Sequence, residues 1–212
     1  MSALRLGALA CLALVAAAVA IVATRSSTPQ HGPQSSPTVV TVLARSGTAA
    51  EEKATGFAVA NERVVTVAHA LSGSAVAEVL DQRGVVHRGS VVRRDARLDL
   101  ALLSVPGLRA GEMQPAASTG RARVLVMRGS DVARLPADIR RHVAFHLVDR
   151  VAARTYDRPA LELAARIDAG DSGAPVLAGG RVAGVVFGRS NIRDGTAYAV
   201  DAEALNRLVS PR

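Results

Sequence analysis

Gly170-Asp171-Ser172-Gly173-Ala174-Pro175 sets small residues around a single hydroxyl, and the partners of that hydroxyl decide the fold. A serine oxygen is a weak nucleophile unless a base takes its proton and donors receive the developing oxyanion. Small neighbours let successive backbone N–H groups turn towards one point. Gly170 admits the backbone angles of such a turn and places no side chain in front of the hydroxyl. Asp-Ser-Gly is also an ordinary loop sequence, so the motif carries weight only if a base and an orienting carboxylate stand elsewhere in the chain.

Two stretches supply them. Thr66-Val67-Ala68-His69-Ala70 is a β-rich run ending in a histidine, the side chain whose pKa suits a general base near neutrality. Arg97-Leu98-Asp99-Leu100-Ala101-Leu102-Leu103 carries one carboxylate into an otherwise apolar strand, where burial is costly without a partner. An imidazole N–H is such a partner, and the carboxylate would fix its tautomer. Asp95 lies in the charged stretch 93–97 and reads as solvated. His87, His142 and His146 lack a comparable context, the four-residue spacing of the last two has no third ligand, and His31 sits in a linker. No metal site and no cofactor are expected.

The three motifs, in the order His69, Asp99, Ser172, resemble the chymotrypsin/trypsin-like serine peptidase family, in its compact exported bacterial form. The Gly-x-Ser-x-Gly elbow of the α/β-hydrolases is absent, and their triad order differs. Thr55-Gly56-Phe57-Ala58-Val59 is similar to the family's glycine-containing strand before the histidine, and Gly184-Val185-Val186-Phe187-Gly188 to the strand beside its specificity pocket. The resemblance implies an all-β fold of two six-stranded antiparallel barrels with a C-terminal helix. It also implies a serine endopeptidase working through a catalytic triad of His69, Asp99 and Ser172 and an acyl-enzyme. The backbone N–H groups of Gly170 and Ser172 would form the oxyanion hole. Arg166, Phe187, Gly188 and Arg189 fall where the family lines its substrate pocket; an acidic or small residue before the scissile bond suits them, and Arg166 pointing to solvent is the alternative. Ala70 and Ala174 replace a common cysteine and glycine of the family. In animal relatives a freed N-terminus pairs with the carboxylate before the serine, here Asp171; an arginine is the expected partner in this chain, and the sequence does not identify which one.

The rest of the chain agrees. Of 212 residues, 49% are hydrophobic but only 2% aromatic, so the core must be built from Val, Leu, Ala and Ile, which leans towards pleated structure. Short apolar segments alternate with turn signals from Thr38 onwards. Strands are expected near 39–45, 54–60, 63–68, 76–80, 85–92 and 100–105. A crossover through 106–120 leads to strands near 123–127, 143–152, 161–167, 174–177, 182–187 and 196–200, and a helix capped by Asp201. The protease domain is thus residues 38–212, with barrels at about 38–107 and 118–200. Residues 25–37, rich in Pro and Ser, read as a flexible linker. Residues 1–24 read as a signal peptide or a membrane anchor. Leu6–Ala23 is apolar, Ala18-Val19-Ala20 has the small-x-small pattern of a cleavage site, and both alternatives place the domain outside the cytoplasmic membrane, secreted or tethered through residues 6–23. Cys11, the one cysteine, lies inside that run, and a lipobox reading is poor because Ala8 stands where leucine is usual. With the chain ending at Arg212, a peptide-binding domain of the HtrA type is expected to be missing.

Three function classes compete. The formal net charge of +8, with Lys53 the single lysine among 26 basic residues, suits an anionic envelope or nucleic acid. The arginines are scattered singly or in pairs, however, with no aromatic set to stack bases, which argues against nucleic acid. A basic envelope-anchoring protein leaves the three motifs unexplained. A binding module that has lost turnover has no physical need for His69, Asp99, Ser172 and Gly170 together. An active endopeptidase on protein or peptide substrates accounts for all of them.

Overall fold

A computed structural model describes residues 38–44, 51–110, 113–149 and 154–210. Residues 1–37, holding the expected leader and linker, lie outside the described residues.

The first six strands are β1 (Val39–Ala44), β2 (Glu52–Ala60), β3 (Arg63–Val67), β4 (Val76–Leu80), β5 (Val86–Asp95) and β6 (Leu100–Ser104). They pair antiparallel in the order 1-2-3-6-5-4, and Thr41 opposite Leu80 closes the ring. The second six are β7 (Gly120–Arg128), β8 (Asp131–Asp149), β9 (Arg154–Ala164), β10 (Pro175–Ala178), β11 (Arg181–Arg189) and β12 (Thr196–Asp201). Their order is 7-8-9-12-11-10, closed by Val176 opposite Val124. The two halves share one winding although no internal repeat is visible in the sequence. The expected fold, two six-stranded barrels and a C-terminal helix, is the one observed.

Alternation along each strand explains where the side chains go. In barrel one, Val40, Val42, Ala58, Val64, Val79, Ala101 and Leu103 fill the interior. In barrel two, Val124, Val126, Leu161, Leu163, Val176 and Val186 do so. The opposite faces of several of these strands are apolar too. Phe57, Val65, Leu100 and Leu102 of barrel one meet Val182, Val185 and Val200 of barrel two in a shared cluster. Each such side chain, fully buried, contributes about 1.5–3 kcal/mol. Helix α1 (Ala202–Val209) adds Leu205 and Leu208 to that cluster, and its N-cap Asp201 accepts the Ala204 N–H at 2.8 Å as expected.

The strand pattern departs from expectation mainly in β8, which starts at Asp131, twelve residues before the expected 143. Pro136 and the charged residues 138–141 hide the alternation, although Pro136 pairs with Arg123 within the sheet. Beyond Ile139 the strand pairs only with β9, forming a two-stranded ribbon that extends from the barrel.

The β4–β5 connection is organised by a buried acid. Asp81 Oδ1 accepts the N–H groups of Arg83 and Val85, both at 2.9 Å, and Oδ2 faces the Arg83 guanidinium and the His87 ring. Burial alone would raise its carboxyl, but the bonds from Val85, His87 and Arg83 outweigh this and lower it to about 2. A carboxyl so depressed adds stability that is present above its unfolded value and is lost as pH falls towards the folded one. Asp81→Ala should therefore lower the melting temperature at pH 7, with a cost of about 1–3 kcal/mol for the orphaned donors. The difference from wild type should shrink between about pH 4 and pH 2. Parallel thermal melts of the two proteins across that range would check it, and a pH-independent difference would count against the account.

Candidate active site

His69 lies one residue past the end of β3, after Ala68, at the start of a short 3-10 turn, His69–Leu71, whose Ala70 and Leu71 are buried. Asp99 is met not inside β6, where the apolar run suggested it, but in the turn before it, at a left-handed φ of +58°. Few residues other than glycine adopt that conformation, and Asp is among those that tolerate it. The turn is held in register with the end of β3. The Ala68 N–H donates to the Asp99 carbonyl at 2.9 Å, and the His69 N–H donates to Asp99 Oδ1 at 2.9 Å. The other carboxylate oxygen lies 2.7 Å from His69 Nδ1. A proton on Nδ1 satisfies that contact and leaves Nε2 free to accept.

Ser172 comes from the second barrel, in the loop before β10. Its carbonyl accepts the Thr55 N–H of β2 at 2.9 Å, and the Thr55 hydroxyl donates to the Gly170 carbonyl at 3.0 Å. The Thr66 hydroxyl donates to the Thr55 carbonyl at 2.8 Å and completes this seam between the barrels. Gly173 makes so close an approach possible. A Cβ there would lie 1.9 Å from the Thr55 carbonyl oxygen, and its φ is +88°. Gly170 has a different need: its φ is +90°, but a Cβ would find nothing nearer than Lys53 at 3.8 Å, so conformation and not space demands glycine.

Asp171 is fully buried, and its partner is Arg128 at the end of β7. The guanidinium engages both carboxylate oxygens, one of them at 3.0 Å, and the Asp168 N–H adds a third bond at 2.8 Å. This arginine, unidentified from sequence, fixes the 168–171 turn that leads into Ser172.

His69, Gly170 and Ser172 line one cleft of about 390 Å³, together with Glu52, Lys53, Ala70 and Ala169. No hydrogen bond joins the Ser172 hydroxyl to the His69 ring; such contacts often close only when a ligand is bound. Among the described residues, neither the Gly170 nor the Ser172 N–H donates to a protein acceptor. The bond to Asp99 raises the His69 pKa above its ordinary value. Partial burial and the Arg158 charge pull it down, and Glu52 pulls it up.

Arg166 and Arg189 face a second, larger cavity of about 870 Å³, shared with Asp168 and Asp194. The Arg166 side chain is 85% exposed and lies 3.6 Å from Asp194, while Arg189 donates to the Ile167 carbonyl at 3.4 Å. Phe187 packs edge-on against Phe145, with centroids 5.4 Å apart, and nothing lies within 4 Å of a Cβ built on Gly188. His87 is spent on Asp81, and His146 pairs with Asp157 on the β8–β9 ribbon. Among the described residues no group of three His, Cys, Asp or Glu is arranged to hold a metal ion. Sequence reasoning missed Thr55 and Thr66 as seam residues, and Arg158 altogether.

Twin six-stranded barrels with a histidine, a carboxylate and a serine at their junction define the chymotrypsin type of architecture. The chain belongs to the trypsin-like peptidase domain family, which residues 54–185 match. It is 32% identical over 141 residues to the serine protease Rv3671c of Mycobacterium tuberculosis, covering 63% of this chain and 35% of that protein. The chain therefore spans about a third of the length of the curated relatives it matches. The crystal structure of that protease in its active form superposes with a TM-score of 0.73 at 28% identity, over 84% of this chain and 83% of the other. The inactive form gives 0.69, also at 28% identity, over 82% and 89%. A serine endoprotease from Yersinia pestis, 17% identical, shares the fold with a TM-score of 0.63 over 81% of this chain and 61% of the other.

Removing Arg128 should leave Asp171 as a buried carboxylate without its cation. Arg128→Met is expected to lose on the order of 3 kcal/mol of stability. Arg128→Met with Asp171→Asn should recover part of that loss. Urea unfolding of the three proteins measures both effects, and equal midpoints for wild type and Arg128→Met would remove the structural role.

Proposed function

We propose that this chain is a serine endopeptidase acting on protein or peptide substrates outside the cytoplasmic membrane. The observation that supports this best is the 2.7 Å contact of His69 Nδ1 with Asp99, in a ring that faces the same cleft as Ser172. Membership of the trypsin-like peptidase family points the same way.

In this reading the Ser172 hydroxyl attacks the scissile carbonyl carbon, and its proton passes to His69 Nε2. The oxyanion of the tetrahedral intermediate is received by the N–H groups of Gly170 and Ser172. As the C–N bond breaks, His69 returns the proton to the leaving amine, and the acyl group stays on Ser172. Water, deprotonated by the same imidazole, then attacks the ester and releases the acid. Asp99 remains ionised, keeps the proton on Nδ1 and stabilises the imidazolium. The cavity lined by Arg166 and Arg189 is the proposed site for the side chain before the scissile bond; Phe187 and Gly188 stand just before Arg189 on β11 and do not line it. Its two arginines favour an acidic or small residue there.

Ser172→Ala should abolish labelling by a fluorophosphonate, which reacts with the wild type. Because the three residues act as one unit, His69→Ala with Ser172→Ala should be nearly as active as Ser172→Ala alone. Asp99→Asn should cost about four orders of magnitude in turnover, the loss expected when the carboxylate that orients the imidazole becomes an amide favouring the wrong tautomer. The catalytic form carries neutral His69, so a raised imidazole pKa places the acid limb of kcat/KM above about pH 6.5. Near-additive losses, or equal activity in wild type and Ser172→Ala, would overturn the mechanism.

Export is proposed from Leu6–Ala23, which lies outside the described residues; among those described, no helix is long and apolar enough to cross a membrane. Expressed with its leader, the protein should be found beyond the cytoplasmic membrane, free or tethered through residues 6–23. Intact-mass analysis should show a start at Ile21 if Ala20 is the cleavage point. Full-length protein confined to the cytoplasm would contradict this.

A further inference from the structure

We infer that Arg158 is a positioning residue that acts on the Asp99–His69 pair through its charge: its bonds to the turn before β6 fix the guanidinium beside the Asp99 carboxylate, where it sets a compensating positive charge. The inference rests on the proposed roles of His69, Asp99 and Ser172.

Arg158 lies on β9, in the ribbon that extends beyond the second barrel, yet its side chain is only 10% exposed. Its Nε donates to the Arg97 carbonyl at 2.8 Å, and one terminal nitrogen reaches the Ala96 carbonyl at 3.5 Å. The other terminal nitrogen stands 3.8 Å from Asp99 Oδ2, the oxygen that faces His69 Nδ1. The guanidinium is also stacked over the Phe187 ring of β11, 4.9 Å from its centroid. Two residues earlier on the same strand, the Tyr156 ring lies under the Arg97 guanidinium at 5.9 Å. The ribbon thus grips the Ala96–Asp99 turn of barrel one at two points. A planar, permanently charged fork can engage two carbonyls, a ring and a carboxylate at once, which a lysine cannot.

The charge has a predictable sign. Asp99 stabilises protonated His69, and a cation beside Asp99 opposes part of that effect. The charged groups around His69 are Asp99 from the turn, Arg158 from β9, and Glu52 and Lys53 from β2, which line the cleft. A purely structural role predicts the opposite result on removal: a loosened Asp99 bonds the imidazole less well, and the His69 pKa falls.

The test is a titration of the His69 ring by nitrogen-15 NMR in the Ser172→Ala background, which needs no turnover. It is paired with the acid limb of kcat/KM in the Ser172 protein. Arg158→Met should move the His69 midpoint upward by on the order of half a pH unit and shift the acid limb the same way. Arg158→Lys, which keeps the charge, should stay nearer to wild type, and Glu52→Gln should move the midpoint down. If Arg158→Met does not fold, Arg158→Gln provides the same comparison. An unchanged or lowered midpoint on loss of the charge overturns the inference. Undiminished hydrolysis by Ser172→Ala would instead refute the triad reading, and the NMR midpoint would still decide the part played by Arg158.

Discussion

The site depends on one point of backbone contact between the barrels. At Thr55 the main chain of β2 donates to Ser172, its hydroxyl donates to Gly170, and its carbonyl lies against the Cα of Gly173. Ser172 belongs to the second barrel, and His69 and Asp99 to the first. Apolar packing between barrels tolerates small sliding, because the hydrophobic effect has no direction. A backbone hydrogen bond at 2.9 Å does not, so this seam fixes the distance at which serine and histidine meet. The alternating apolar faces of β3, β6 and β11 bring the barrels together, and the seam sets their register.

Around this seam the protein buries acids and neutralises them with arginine. Asp171 takes Arg128, Asp99 has Arg158 nearby, and Glu162, almost wholly buried on β9, collects Arg141 at 2.8 Å and Arg193 at 3.0 Å. These bonds hold the Glu162 carboxyl below its ordinary range, the Arg141 contact most of all, despite burial. Single removals would leave charges stranded in low dielectric, where the cost is greatest. The near-exclusive use of arginine follows in part, since the Asp171 and Glu162 contacts use the directed donors of a guanidinium. Part of the positive charge is thus paired with acids that the fold buries.

Much of this arrangement was legible in the sequence where physics acts locally. Strands such as Val76–Leu80 and Leu100–Ser104 follow from alternation and turn residues, and Asp201 marks the start of the helix because capping is a short-range effect. His69, Asp99 and Ser172 are singled out by motifs, each with its own local signature. The errors came where tertiary structure overrides local pattern. The first half of β8 pairs with β7 inside the barrel despite Pro136 and the charges of 138–141, which break the alternation that marks a strand locally. Asp99 was placed in a strand because the apolar run continues through Leu98, and only the fold shows that Asp99 ends a turn. Arg128 and Arg158 stand 43 and 61 residues in sequence from the groups they hold, and neither has a local signature separating it from the other arginines.

Closure of both barrels also bears on how such a molecule coexists with its own copies. A cleft that cuts extended chain, as proposed for this one, must accept a segment able to leave its own structure and lie straight. In each barrel the first and last strands of the winding are hydrogen-bonded to one another, so the closed rings have no loose end from which to peel a strand, and open edges are confined to the β8–β9 ribbon. Releasing a strand from either ring means breaking two ladders together. For the endopeptidase proposed above, the closed rings would offer neighbouring copies little to cut, and durability at high local concentration would be a property of sheet topology before it is one of sequence preference.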